Sequence, residues 1–228
     1  MKLNCLLLFL LLLSGSSFSQ LGYIAQYNKN LAESWDGEYI RISQYRVKGT
    51  PYLLGEAFSG SIKYKGGGSD TGNILYDLYK QKAGLAVKNE IYESGGAVEE
   101  FTIHLSEKYG GIILSFRSAE VFGNTDLKSY FNVIDEGAKV SFLKIFRIRL
   151  TPDPTNQMDK DLRIFEQYFD YYLYVKGTNN LSKIKLKSKD VISQFGEEEF
   201  IKTQIKNADL DVSKEEDMIK LIKAINNK

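Results

Sequence analysis

The sequence predicts a mainly β fold with a helical C-terminal part: an antiparallel meander sheet or half-barrel, with two or three short helices packed on it. Three observations carry this expectation. From Asp36 to about Leu186, short aromatic and β-branched runs are punctuated by Gly, Asn and Asp, the signature of strands joined by tight turns. Within those runs the apolar residues alternate, as where Phe101, Ile103 and Leu105 fall on one face and Thr102, His104 and Ser106 on the other. Beyond Leu186 the apolar spacing lengthens to the helical period.

The chain opens with Lys2, the apolar run Leu6 to Leu13 and the small-residue stretch Ser14 to Ser19, which together read as a signal peptide, 1–19, cleaved after Ser19. Eight apolar residues are too few to span a hydrocarbon core of about 30 Å, so no integral membrane span is expected in the mature chain. Cys5 precedes the apolar run and leaves with the leader. Residues 20–36 form a lead-in, and 37–228 a single β-rich domain whose helical part starts at about 187.

Candidate strands are 38–47, 57–65, 72–80, 83–88, 97–105, 110–117, 129–135, 138–150 and 167–176. Hairpin tips are expected at 66–70, 94–96 and 136–137, where glycines tolerate positive φ. The segment 151–156, with Pro152 and Pro154, is expected to be an exposed loop. In the helical part, Val191, Ile192 and Phe195, then Phe200, Ile201 and Ile205, then Met218, Leu221, Ile222 and Ile225 form apolar stripes, and Ser213 with Glu216 fits a capping box.

Three short motifs, Gly49-Thr50-Pro51-Tyr52-Leu53, Gly60-Ser61-Ile62-Lys63-Tyr64 and Leu75-Tyr76-Asp77-Leu78-Tyr79, together with the lysine-rich helices at 183–225, resemble an uncharacterised family of exported Bacteroidetes β-rich proteins. The resemblance implies a secreted or periplasmic β-rich protein and assigns no catalytic residue. Read on their own, the motifs suit a rigid strand entry at Pro51, a bulge or close backbone contact at Gly60, and aromatic cover from Tyr76 and Tyr79.

Composition narrows the chemistry. Of 30 basic and 29 acidic side chains, Lys2 leaves with the leader, so the mature chain is formally neutral and has no long-range attraction for phosphate backbones; nucleic acid is not an expected partner. Without mature cysteine, thiol chemistry and Cys-type zinc sites are excluded. His104 is the only histidine, it lies on the polar side of its strand, and no G-x-S-x-G elbow is present, so a hydrolase triad is not expected. Asp153, Asn156, Asp159 and Asp161 cluster, but without the Gly and Glu of an EF-hand loop. Gly66 to Gly68 lack the Lys-Ser/Thr of a phosphate loop. No cofactor, metal site or catalytic set is expected.

The strongest unusual signal is aromatic: Tyr168, Phe169, Tyr171, Tyr172 and Tyr174 place rings on both faces of one strand. Tyr168, Tyr172 and Tyr174, with Asp77 set among apolar neighbours, are the ligand-facing candidates. The function expected is a non-enzymatic, exported cell-envelope binding or structural module, periplasmic or secreted, whose partner is a protein or an apolar ligand. Two alternatives stand beside it: a carrier or sensor of an apolar ligand held in a half-barrel, and a carboxylate-dependent hydrolase.

Overall fold

The computed structural model describes residues 24–26, 39–88, 90–94, 97–156 and 158–228. The expected leader lies outside the described residues, as does most of the lead-in. Among the described residues, thirteen strands form one open sheet: β1 (Ile24–Gln26), β2 (Tyr39–Ile42), β3 (Tyr45–Lys48), β4 (Phe58–Tyr64), β5 (Ser69–Asp77), β6 (Lys82–Val87), β7 (Glu90–Ser94), β8 (Val98–His104), β9 (Ile113–Ser118), β10 (Tyr130–Glu136), β11 (Val140–Pro152), β12 (Leu162–Val175) and β13 (Asn180–Ile184). Three helices follow: α1 (Ser188–Phe195), α2 (Glu198–Asn207) and α3 (Glu215–Asn226). The mainly β architecture with C-terminal helices is therefore as the sequence predicts.

The sheet is mixed rather than a simple meander. Strand order runs β1-β7-β6-β5-β4-β8-β9-β10-β11-β12-β3-β2, with β13 also paired to β12. Strands β5 to β7 make an excursion, after which β8 returns to pair with β4, while β3 joins β12 in parallel. The longest pairing is the β11–β12 hairpin, in register from Val140 opposite Val175 to Pro152 opposite Arg163.

Several boundaries differ from expectation for local reasons. The run 38–47 is a hairpin, because Ser43 at φ +55° and Gln44 turn the chain between β2 and β3. β5 ends at Asp77, whose carboxylate accepts the N–H groups of Tyr79 (2.9 Å) and Lys80 (2.8 Å) and bends the backbone. Thr151 and Pro152, expected in a loop, extend β11; as its last residue, Pro152 sits where a missing donor costs least. The short strands β7 and β13 carry too little alternation to be separated from their surroundings by sequence. The capping box does not form: the Ser213 hydroxyl donates instead to the Asp211 carboxylate (2.6 Å), a stronger acceptor than a peptide group.

The sheet curls. From β5 to β11 there are five strand spacings, roughly 24 Å if the sheet were flat at about 4.8 Å per strand. Yet Gln81, just beyond β5, donates its amide to the Phe146 carbonyl in β11 (3.1 Å) and to Leu78 (2.9 Å), and the Gln167 amide of β12 reaches the Tyr52 carbonyl (2.9 Å). The concave face so made is filled: Phe58, Ile62, Ile74, Tyr76, Phe101, Ile103 and Phe116 form one buried cluster, with Phe101 and Phe116 stacked at 4.6 Å and Tyr76 edge-on to Phe101 at 5.1 Å. Along the same face, Phe142 and Leu173 meet Val191, Ile201, Met218, Leu221, Ile222 and Ile225, so the helices pack on their own sheet. Each such aliphatic burial is worth about 1.5–3 kcal/mol.

Candidate functional site

Where the filled cluster of the curled sheet stops and α3 begins, the concave face is left with a cleft of about 530 Å³. Its floor is built by alternation. Leu114 of β9, Asn132 of β10 and Lys144 and Phe146 of β11 all project to the concave side. One wall is the tight turn Leu53–Gly55 with Tyr109, the other is Glu215 and Ile219 of α3.

The wall residues are held in place. Leu54 sits in the left-handed region at φ +54°, an uncommon setting for a branched side chain. The turn is closed by the Gly55 N–H to the Tyr52 carbonyl (3.0 Å) and pinned by Tyr109, whose hydroxyl donates to Glu56 (2.6 Å). At the mouth, Ile112 and Ile113 are 52% and 63% exposed, adjacent aliphatic side chains that the protein leaves in water. Together with Leu54 they make an apolar rim of the kind that marks binding sites.

Two polar features stand in this apolar setting. Lys144 keeps only 13% of its side chain exposed; its ammonium lies 4.9 Å from the Phe169 ring centre, 5.2 Å from Tyr171 and 5.7 Å from Phe146, and it pairs with Glu215. The Tyr171 hydroxyl donates to the same Glu215 oxygen (2.5 Å), and burial together with the Glu215 carboxylate holds its phenol well above the ordinary range. Asn132 is 6% exposed, and its Oδ1 is sealed from water without a hydrogen-bond partner. Such an oxygen lacks an interaction nearly every buried polar atom has.

The candidates named from sequence go elsewhere. Asp77 is buried, holds the turn after β5, and borders a void of about 10 Å³, at the lower limit for one water. Tyr172 packs edge-on to Phe131 (5.0 Å), and Tyr174 packs on Phe122 (5.3 Å) while donating to Asn179 (2.6 Å); both belong to a small buried cluster on the convex side. Tyr168, 37% exposed, lies under the Arg149 guanidinium at 5.5 Å. These three tyrosines share a face but line no common hollow. The rings on the opposite face, Phe169 and Tyr171, are the ones that reach the Lys144 end of the cleft.

His104 is exposed on β8. Pro152, Asp153, Asn156, Asp159 and Arg163 border a shallow hollow of about 590 Å³, but Asp153 accepts from Thr155 (2.8 and 2.7 Å) and Asp159 pairs with Arg46, so the carboxylates are already engaged. Among the described residues no three His, Cys, Asp or Glu side chains gather as a metal ion would need.

Sequence reasoning passed over Lys144, although a signal was present. In Val140-Ser141-Phe142-Leu143-Lys144-Ile145-Phe146, alternation sets Lys144 on the same face as Phe142 and Phe146, a charge inside an apolar row. Asn132, between Tyr130 and Ile134 on one face of β10, gave the same kind of signal, but that its Oδ1 is left without a partner depends on the strands packed around it. Compared with known proteins, the chain matches no family model, no curated protein and no solved structure.

Proposed function

We propose that the chain is a non-enzymatic, exported binding module of the cell envelope, and that the cleft beneath α3 is where it binds. Export rests on the leader sequence and on the resemblance to exported β-rich proteins; among the described residues no helix is long and apolar enough to cross a membrane. The observation that carries the binding assignment is the cleft itself. An apolar hollow with an exposed aliphatic rim and an unpartnered Asn132 is more than the packing of the fold requires, and both features cost stability unless something fills them.

The second reading, a carrier or sensor of an apolar ligand, is favoured by the same lining but with a different seat. The interior of the curled sheet is occupied by its own aromatic side chains, so a ligand would lie at the end of the concave face, under α3, rather than inside a half-barrel. A carboxylate-dependent hydrolase gains little support, because Glu215, the acid of the cleft, is tied to both Lys144 and Tyr171.

The test is retention from envelope extract, read by native mass spectrometry, with the wild type beside Ile113→Glu, a change at an exposed rim position that leaves the core untouched. A species retained by the wild type and lost by the variant is expected. Equal retention by both, or none by either across salt and detergent conditions, would sink the assignment.

A further inference from the structure

The chemistry of the cleft restricts what it holds, and the restriction builds on the binding assignment above. Its volume of about 530 Å³ lies within the range of small-molecule sites, about 300–1,000 Å³. Most of the lining is aliphatic or aromatic, so the body of the ligand is apolar. The charges at its inner end answer each other: an anion would have to displace Glu215 from Lys144, and a cation would have to displace Lys144 from Glu215. What is left unanswered is the Asn132 side-chain amide: its Oδ1 lost its hydration in folding without gaining a partner, and among the described residues nothing bonds its Nδ2.

We infer that the cleft takes a neutral amphiphile, an apolar chain or ring system whose leading end is an amide-like group that both donates to and accepts from the Asn132 side chain. Turning the Asn132 amide about its soft sp³–sp² bond exchanges its oxygen and nitrogen, so either end can meet the ligand without moving β10, and only a head with both a donor and an acceptor answers the whole group. Discrimination follows from the unanswered amide: an acceptor-only head can bond its nitrogen alone, whereas an amide head can also donate to its oxygen, an atom already withdrawn from solvent in folding.

Three probes with one chain length and different heads separate the possibilities: octanamide, which donates and accepts; methyl octanoate, which only accepts; and octanoate, which is anionic. Titrations followed by NMR on the full mature chain should show octanamide binding about tenfold more tightly than methyl octanoate, moving the Asn132 side-chain amide and the methyl signals of Leu54, Ile113 and Ile219. Asn132→Leu, which fills the same space without a polar atom and so should fold, is expected to erase that difference while keeping the methyl shifts. Equal binding of amide and ester, or preference for octanoate, overturns the ligand class and leaves the cleft standing as a binding site, because the methyl signals still move. If none of the three moves them, the inference is overturned, and the extract comparison with Ile113→Glu decides the binding assignment separately.

Discussion

Glu215, in the first turn of α3, and Lys144, in the middle of β11, form the ion pair that fastens the last helix to the sheet across the cleft. The two ends are unequal. Lys144 is nearly enclosed by three aromatic rings, whereas Glu215 retains a third of its side-chain surface in water.

That inequality sets the first expectation. Glu215→Ala leaves an ammonium among rings with no carboxylate and should cost about 2 kcal/mol, less than a fully buried pair because Glu215 is partly solvated. Lys144→Met should cost less, since the thioether fills the slot and Glu215 can turn to water. Denaturant unfolding of the two variants measures the order; a larger loss for Lys144→Met would contradict it.

A second attachment lies at the other end of α3. Asn226 accepts the N–H groups of Lys139 (3.0 Å) and Val140 (2.9 Å) and donates to the Val140 carbonyl (3.1 Å), pairing with the start of β11 as a neighbouring strand would. Gly137 makes room for it: a Cβ there would lie 2.0 Å from the Asn226 side chain. Asn226→Ala should destabilise by about 2 kcal/mol. Gly137→Ala should destabilise by a similar amount through loss of the same bonds, and the double variant by clearly less than the sum, a coupling that a double-mutant cycle resolves.

Gly60 is fixed by backbone contact. A Cβ at this position would meet the Thr102 carbonyl oxygen of β8 at 2.0 Å, and neither strand can withdraw without giving up the pairing of Gly60 with Ile103. Gly60→Ala should therefore cost about 3 kcal/mol or prevent folding. A variant with wild-type melting behaviour would show that β4 and β8 lie further apart than described.

Asp77 and Glu93 should give opposite pH signatures. Burial raises the Asp77 carboxyl above its ordinary range, and the Lys80 and Tyr79 N–H groups offset this only in part. A carboxyl that holds its proton more tightly when folded favours the fold at low pH and loses that contribution as pH rises through its folded value. Asp77→Asn keeps an acceptor for both N–H groups and never ionises. It should be at least as stable as the wild type at neutral pH, the gap closing toward about pH 4. For Glu93, burial pushes upward but the bonds from Lys82 and Lys80 prevail and lower its value, so its contribution is present at neutral pH and fades as pH falls through the folded value. Glu93→Gln should lose stability at neutral pH and flatten the acid limb of the profile. Thermal melts across pH distinguish the two.

Much of the fold was legible because it is written in short-range pattern. The alternation of Phe101, Ile103 and Leu105 against Thr102 and His104 assigned β8 its buried face, and the spacing of Met218, Leu221, Ile222 and Ile225 assigned α3 its stripe; both depend only on the two backbone periods, and the described structure buries those same residues. Tyr172 and Tyr174 show the limit: the strand and the shared face were readable, but the covering segment that carries Phe122 is brought there by tertiary packing.

The sequence by itself determined the class, the helical tail and the near-absence of net charge, since each is a sum or a period along the chain. Tertiary structure decided the parallel seam of β3 with β12, the curl that brings Gln81 to Phe146, and the meeting of Leu54, Asn132, Lys144 and Glu215 around one cleft. Those residues lie as much as 161 positions apart, and no local preference encodes a distance in space between strands that are not neighbours in the chain. Sheet curvature sets that distance, and it emerges only when all the side chains on the concave face are packed together.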